Sequence, residues 1–217
     1  MNNFFKNGKF FTLYHISYKQ MARRSDHTRD ELTKLILDSA FNLVSKSGYT
    51  QVSTRKIAAE IGYTVGTLYN VFTNLDDIFI HVNARIIDML LNRLKAVIDQ
   101  EAVPEKSIYL LAEEYLKFSR EDYNLWNILF EYRFSNKQIL PNWYTNKIAE
   151  LFDLLEGVIS DIASNKTSDI KSTTAIIWAG IHGICSLGTK GKLARIKLDN
   201  PEVLVKQFIN GVIANLN

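Results

Sequence analysis

A chain of 217 residues, 47% hydrophobic and 23% charged with three prolines, has the balance of a packed globular protein and not of a disordered one. No run of about 18 uncharged apolar residues occurs, which argues against a membrane-spanning helix; a single cysteine, Cys185, rules out an internal disulfide and fits a reducing cytoplasm. The net charge of +3 hides an asymmetry, +5 over residues 1–75 and −2 over 76–217, which points to a polyanionic partner at the N-terminal end.

Residues 1–24 are expected to be a tail. Lys9 and His15 interrupt its apolar stretches and no small-residue cleavage site follows, so it makes a poor signal peptide. Met21 opens MARRSD, which reads as a translation start, and the residues before it are expected to be a loose arm or to lie outside the natural product.

From there helical periodicity dominates, with no sustained period-2 pattern, so the fold class is read as all-α. The first helix is predicted to start at Thr28, where Thr28-Arg29-Asp30-Glu31 fits a capping box, and to end at Gly48; Leu32, Leu35, Ile36, Ala40, Leu43 and Val44 form its apolar stripe. A short second helix begins at the N-cap Ser53, carries Ile57, Ala58 and Ile61, and breaks at Gly62, and a third spans Thr64 to Phe72. Two short helices cross steeply only where a small residue sits at their contact and the turn accepts positive φ, and Ala58 and Gly62 meet those needs. Ile57, Ile61, Leu68 and Val71 then face inward and leave Thr64, Val65, Thr67, Tyr69 and Asn70 outward, where short hydroxyl and amide groups can reach base edges in a major groove.

A long helix follows Leu75, with Ile78, Val82, Ile86, Leu90, Leu94 and Val97 on one stripe, and joins the N-terminal three-helix domain, 25–75, to a larger C-terminal helical lobe, 76–217. Further helices are predicted over 104–119, 122–134 and 141–164, the last with Pro141 in its first turn. The segment 168–188 is apolar almost all round and should be covered on more than one side, and a final helix follows Asn200-Pro201.

The stretch GYTQVSTRKIAAEIGYTVGTLYNVFTNLDDI resembles the helix-turn-helix of the TetR family, matching at Gly48, Ser53, Ile57-Ala58, Gly62, Gly66-Thr67-Leu68-Tyr69, Phe72 and Asp76. The resemblance implies a DNA-binding transcriptional regulator that reads a palindromic operator on double-stranded DNA. It implies that Ser53 and Tyr69 touch phosphates and that Arg55, Thr64, Val65, Thr67 and Asn70, with Thr54 beside them, face the groove or backbone. Val71 stands where the family commonly has Tyr or His, and Leu75 where it commonly has Lys. Both departures remove phosphate contacts and imply weaker, less salt-dependent binding, with Arg23, Arg24 and Arg29 available to compensate.

Trp178-Ala179-Gly180-Ile181-His182-Gly183 resembles a W-x3-HG pattern of one class of TetR-type C-terminal domains, which implies a ligand-binding and dimerisation lobe whose last two long helices build a homodimer. Two-fold symmetry suits an operator read as half-sites roughly 34 Å apart or a multiple of that. Tyr115, Phe118, Trp126, Phe130, Trp143, Tyr144, Phe152, Trp178 and His182 are the candidate walls of a pocket for a small apolar or aromatic inducer, against the alternative that each is ordinary core packing.

No cofactor, metal or catalytic site is expected. His182 and Cys185 lie at i, i+3 without a third ligand; GICSLGTK misses the phosphate-loop pattern and closes a helix; no nucleophile elbow, dinucleotide loop or paired carboxylates occur. The alternative to an inducible repressor is a DNA-bound architectural protein of the same fold with no small-molecule ligand.

Overall fold

The computed structural model describes residues 27–99, 103–135, 138–163, 169–198 and 200–216, so the N-terminal tail and Arg23 and Arg24 lie outside the described residues. Among the described residues there are nine α-helices and no strand.

The N-terminal lobe forms as its capping chemistry dictates. In α1 (Arg29–Ser47) the Thr28 hydroxyl accepts from the Glu31 N–H while the Glu31 carboxylate accepts from the Thr28 N–H, 2.7 Å away, so two orphan donors are satisfied reciprocally. Gly48 ends the helix at φ +76°, a conformation side chains with a Cβ resist. After a 3-10 turn at Tyr49–Gln51, α2 (Thr54–Glu60) starts from Ser53, whose hydroxyl accepts from the Lys56 N–H, and Gly62 turns the chain at φ +73°. Helix α3 (Val65–Tyr69) is shorter than predicted: it stops at Asn70, whose side chain disfavours helix interiors, and Val71 and Phe72 close a turn by donating to the Leu68 carbonyl.

Asn74 caps α4 (Leu75–Ile98), which is buried along several faces because it packs on α1 behind it and on α5, α6 and α7 ahead of it. Pro104 opens α5 (Pro104–Glu121) at a position that needs no N–H. Helix α6 (Tyr123–Glu131) ends three residues earlier than predicted, because Tyr132 turns extended and the strap to Ser135 bonds elsewhere. Pro141 precedes α7 (Asn142–Ile162) instead of sitting within its first turn; its backbone is extended and its carbonyl accepts from Tyr144 and Thr145. Helices α8 (Ile170–Thr189) and α9 (Pro201–Leu216) complete the chain, with Gly180 set against the Phe208 ring.

One apolar cluster runs without a break from Ile36 and Leu68 through Ile78, Phe79 and Leu90 to Ile177 and Ile209. Helix α4 is therefore shared by both lobes. Helix α8 departs from the all-round burial its composition suggests: Ile177, Ile181 and Cys185 are buried, while Ile176 is 63% and Leu187 42% exposed.

Candidate functional site

The outward face of α2 and α3 collects polar groups. Arg55, Thr64 and Asn70 are exposed, and Tyr69 is 51% exposed, a large fraction for an aromatic residue flanked by buried Leu68. The Tyr69 hydroxyl lies 3.5 Å from that of Thr54, which joins the start of α2 to the end of α3 on one surface. The Thr64 and Thr67 hydroxyls are 3.0 Å apart, and Thr64 also accepts from the Thr67 N–H as the α3 cap. Ser53, Thr54, Val65 and Thr67 are only partly exposed; Ser53 is engaged as a cap and Val65 packs against the core. Val71 and Leu75, the two departures from the family pattern, also pack against that core. Arg29 is exposed at the start of α1.

The second feature is a cavity of about 260 Å³ lined by α4 to α8. Ile87, Leu90 and Leu94 of α4 form one wall, Ile108, Leu111, Ala112 and Tyr115 of α5 another, and α7 lines it from Tyr144 through Ile148 and Leu151 to Leu155. Leu129 and Phe130 of α6 and Trp178 and Ile181 of α8 close the remainder. Tyr144 and Leu155 are eleven positions apart on α7, so the slot extends over roughly 16 Å at the helical rise of 1.5 Å per residue.

Of the aromatic residues singled out from sequence, Tyr115, Phe130, Tyr144, Phe152 and Trp178 line this cavity. Trp126 and His182 stand directly behind Tyr115. The Trp126 indole N–H donates to the Tyr115 hydroxyl oxygen at 3.1 Å, and that hydroxyl is 2.9 Å from His182 Nδ1. Burial holds the Tyr115 hydroxyl protonated by pushing its pKa up and pushes His182 down, which favours a neutral imidazole that accepts a hydrogen bond from the phenol. Glu131, paired with Lys190 at 2.8 Å, works the other way on His182. Phe118 is fully buried beneath the Arg93 guanidinium and is not among the lining residues, and Trp143 lies 42% exposed against the His81 ring. The aliphatic lining, Leu90, Leu94, Leu111, Ile148, Leu151 and Leu155 above all, was missed, since a leucine that faces a void keeps the same helical spacing as one that faces another leucine.

Helix α6 and the strap that follows it are hydrogen-bonded to the N-terminal lobe and to the start of α4. The Asn124 amide of α6 donates to the Ser45 carbonyl of α1 at 2.8 Å. Asp76 at the start of α4 accepts from the Tyr132 hydroxyl and from the Ser135 N–H at 3.1 Å, so the strap after α6 is bound to the helix that leaves the third helix of the lobe. Among the described residues no three His, Cys, Asp or Glu side chains converge as a metal site, and no helix is long and apolar enough to cross a membrane.

Residues 36–82 match the model of the bacterial regulatory proteins of the tetR family, and residues 108–212 match the tetracyclin repressor-like C-terminal domain. The fatty acid metabolism regulator protein of Bacillus subtilis (strain 168) is 26% identical over 128 residues, which cover 58% of this chain and 65% of that relative, just under two thirds of its length. Among solved structures, a protein of unknown function from Rhodococcus sp. RHA1 superposes with a TM-score of 0.72 at 16% identity, covering 89% of this chain and 98% of that one. The transcriptional regulator FadR from Bacillus subtilis in complex with stearoyl-CoA superposes with a TM-score of 0.61 at 23% identity, covering 84% and 96%. With both the helix-turn-helix and the C-terminal lobe matched, the chain belongs to the TetR family of bacterial transcriptional regulators.

Proposed function

We propose that this regulator is a homodimeric, cytoplasmic repressor that acts by binding and not by catalysis, and that an elongated apolar molecule, a fatty-acyl compound in the first place, releases it from its operator. The observation that carries the reading is the slot along α7, lined almost wholly by aliphatic and aromatic side chains and walled on one side by α4, the helix that leads out of the DNA-facing lobe. A long alkyl chain matches that lining by area alone. The likeness to a fatty acid metabolism regulator, and to a fold solved with stearoyl-CoA, supports the same class of ligand.

In this reading Tyr69, Thr54 and Ser53 position the protein on phosphates, and Arg55, Thr64, Val65, Thr67 and Asn70 address the groove. The exposed apolar residues Ile176, Leu187 and Val203 on α8 and α9 give the homodimer its contact. A ligand that fits the slot better in one tilt of α4 than in another shifts the spacing of the two recognition helices, and its leverage equals the difference in its affinity for the two tilts.

The test is a titration of a duplex from the region upstream of the protein's own gene, with and without stearoyl-CoA. Nanomolar binding relieved by the acyl compound is expected. Equal affinity for a scrambled duplex would remove the operator reading, and binding that no acyl compound or other apolar molecule alters would favour a ligand-free architectural role.

A further inference from the structure

Almost all of the cavity lining is apolar, and the hydroxyls of its two tyrosines differ in their surroundings. The Tyr115 hydroxyl is already occupied on both sides by Trp126 and His182. Tyr144 of α7 lines the slot while its hydroxyl lies beside the side-chain amide of Asn83, one turn before Ile87 on α4. Asn83 is 1% exposed and Tyr144 3%. Neither the oxygen nor the nitrogen of the Asn83 amide makes a hydrogen bond of ordinary geometry to any described residue. The side chains packed around Tyr144, among them Ile80, Ala84, Ile87, Leu129 and Ile148, are apolar.

An amide offers two donors and an acceptor, and leaving all of them unmet in an apolar setting is costly enough that folded proteins nearly always supply a partner. Resting on the reading of the slot as a ligand site, we propose that Asn83 and the Tyr144 hydroxyl form a recognition point at this end of the cavity. It holds one uncharged oxygen, a hydroxyl or a carbonyl, near the end of an otherwise alkyl ligand. A carboxylate does not fit, because an anion here would be desolvated with no cation to meet it: the nearest basic side chain on α7, Lys147, is engaged by Asp88 on the outer surface. Because Asn83 belongs to α4, an oxygen bound there ties the ligand to the helix that carries the DNA-facing lobe.

The experiment measures affinity and thermal stabilisation for 1-decanol, 2-decanone and decane with the intact protein, with Asn83→Leu and with Tyr144→Phe. The wild type is expected to prefer at least one oxygenated probe to decane by about tenfold or more, since a site built around hydrogen bonds discriminates strongly against an analogue that lacks the group. Asn83→Leu should erase that preference while retaining decane, and Tyr144→Phe, which removes only the hydroxyl, should reduce it. A preference for the alcohol or for the ketone identifies which oxygen is read. Equal binding of all three by the wild type, or a preference that survives both substitutions, overturns the recognition point and assigns the pair to a buried water. Absence of binding by every probe overturns the ligand-slot reading with it.

Discussion

The Asn124 side-chain amide, on a helix that lines the slot, donates to the Ser45 carbonyl in the last turn of α1 at 2.8 Å. The contact is closely fitted, since a Cβ placed on Gly48 would lie 3.3 Å from the Asn124 side-chain oxygen. A last-turn carbonyl of the first DNA-lobe helix is thus satisfied from the other lobe.

Asn124→Ala should therefore cost about 1 kcal/mol of stability, seen as a lower midpoint in urea at unchanged slope. A second consequence separates coupling from simple stability. The factor by which ligand weakens operator binding should shrink, while the affinity for DNA without ligand changes little. An unaltered factor in the variant would show that α6 does not act through this bond.

Tyr69 presents a different balance, because its ring is half exposed and its hydroxyl shares the surface with Thr54. Tyr69→Ala should leave the melting temperature within a degree or two and abolish specific binding to the operator. Tyr69→Phe, which keeps the ring, should retain part of the affinity and lose about one unit of salt dependence, if the hydroxyl meets a phosphate. Binding isotherms at two salt concentrations decide it.

How far the sequence carries is clearest at individual positions. The capping box at Thr28, the cap at Ser53 and the glycine stops at Gly48 and Gly62 are local chemistry, so these starts and turns of the DNA lobe were readable, whereas Thr64 was read as helical and is the cap of α3. Pro141 and the end of α6 were read less well, since Tyr132 leaves the helix for a partner, Asp76, that lies 56 residues away in sequence. The cavity was half legible: aromatic residues drew attention, and Tyr115, Phe130, Phe152 and Trp178 do line it, but Trp143 sits outside on His81 and the aliphatic walls carry no local mark. Asn83 was invisible for the opposite reason, as a polar residue in an apolar helix stripe only matters once its burial is known.

Acidification should act through the two half-buried histidines. Burial lowers the pKa of His182 and of His81, with Glu131 and Asp77 respectively opposing the shift. A folded-state pKa below the unfolded one means that the unfolded chain takes up the proton first, so stability is complete above about pH 6.5 and falls as pH drops through and below that value. For His182 the proton would go to Nδ1, the atom that faces the Tyr115 hydroxyl, and the bond at the back of the slot would have to reverse, Nδ1–H donating to an oxygen that already accepts from Trp126. Urea titrations between pH 8 and pH 5 should show a declining midpoint, less steep in His182→Gln and less steep again when His81→Gln is added. A midpoint independent of pH over this range in the wild type would contradict the assignment.

The contact of Gly180 with Phe208 makes the last prediction. A Cβ on Gly180 would stand 2.2 Å from the Phe208 ring, far inside van der Waals contact, so α8 and α9 approach as closely as they do only because position 180 has no side chain. Gly180→Ala gains helix propensity of roughly 1 kcal/mol but has to displace the ring or separate the helices, an overpacking cost of about 1–3 kcal/mol. The net effect should be destabilising. Because Ile176, Leu187 and Val203 lie on the same two helices, the separation should also weaken self-association. Sedimentation over a range of concentrations should then show the variant dissociating at higher concentration than the wild type, and Phe208→Leu should restore part of the loss by giving the new methyl room. A Gly180→Ala protein as stable and as strongly associated as the wild type would mean that the ring yields freely and that the spacing of α8 and α9 does not control assembly.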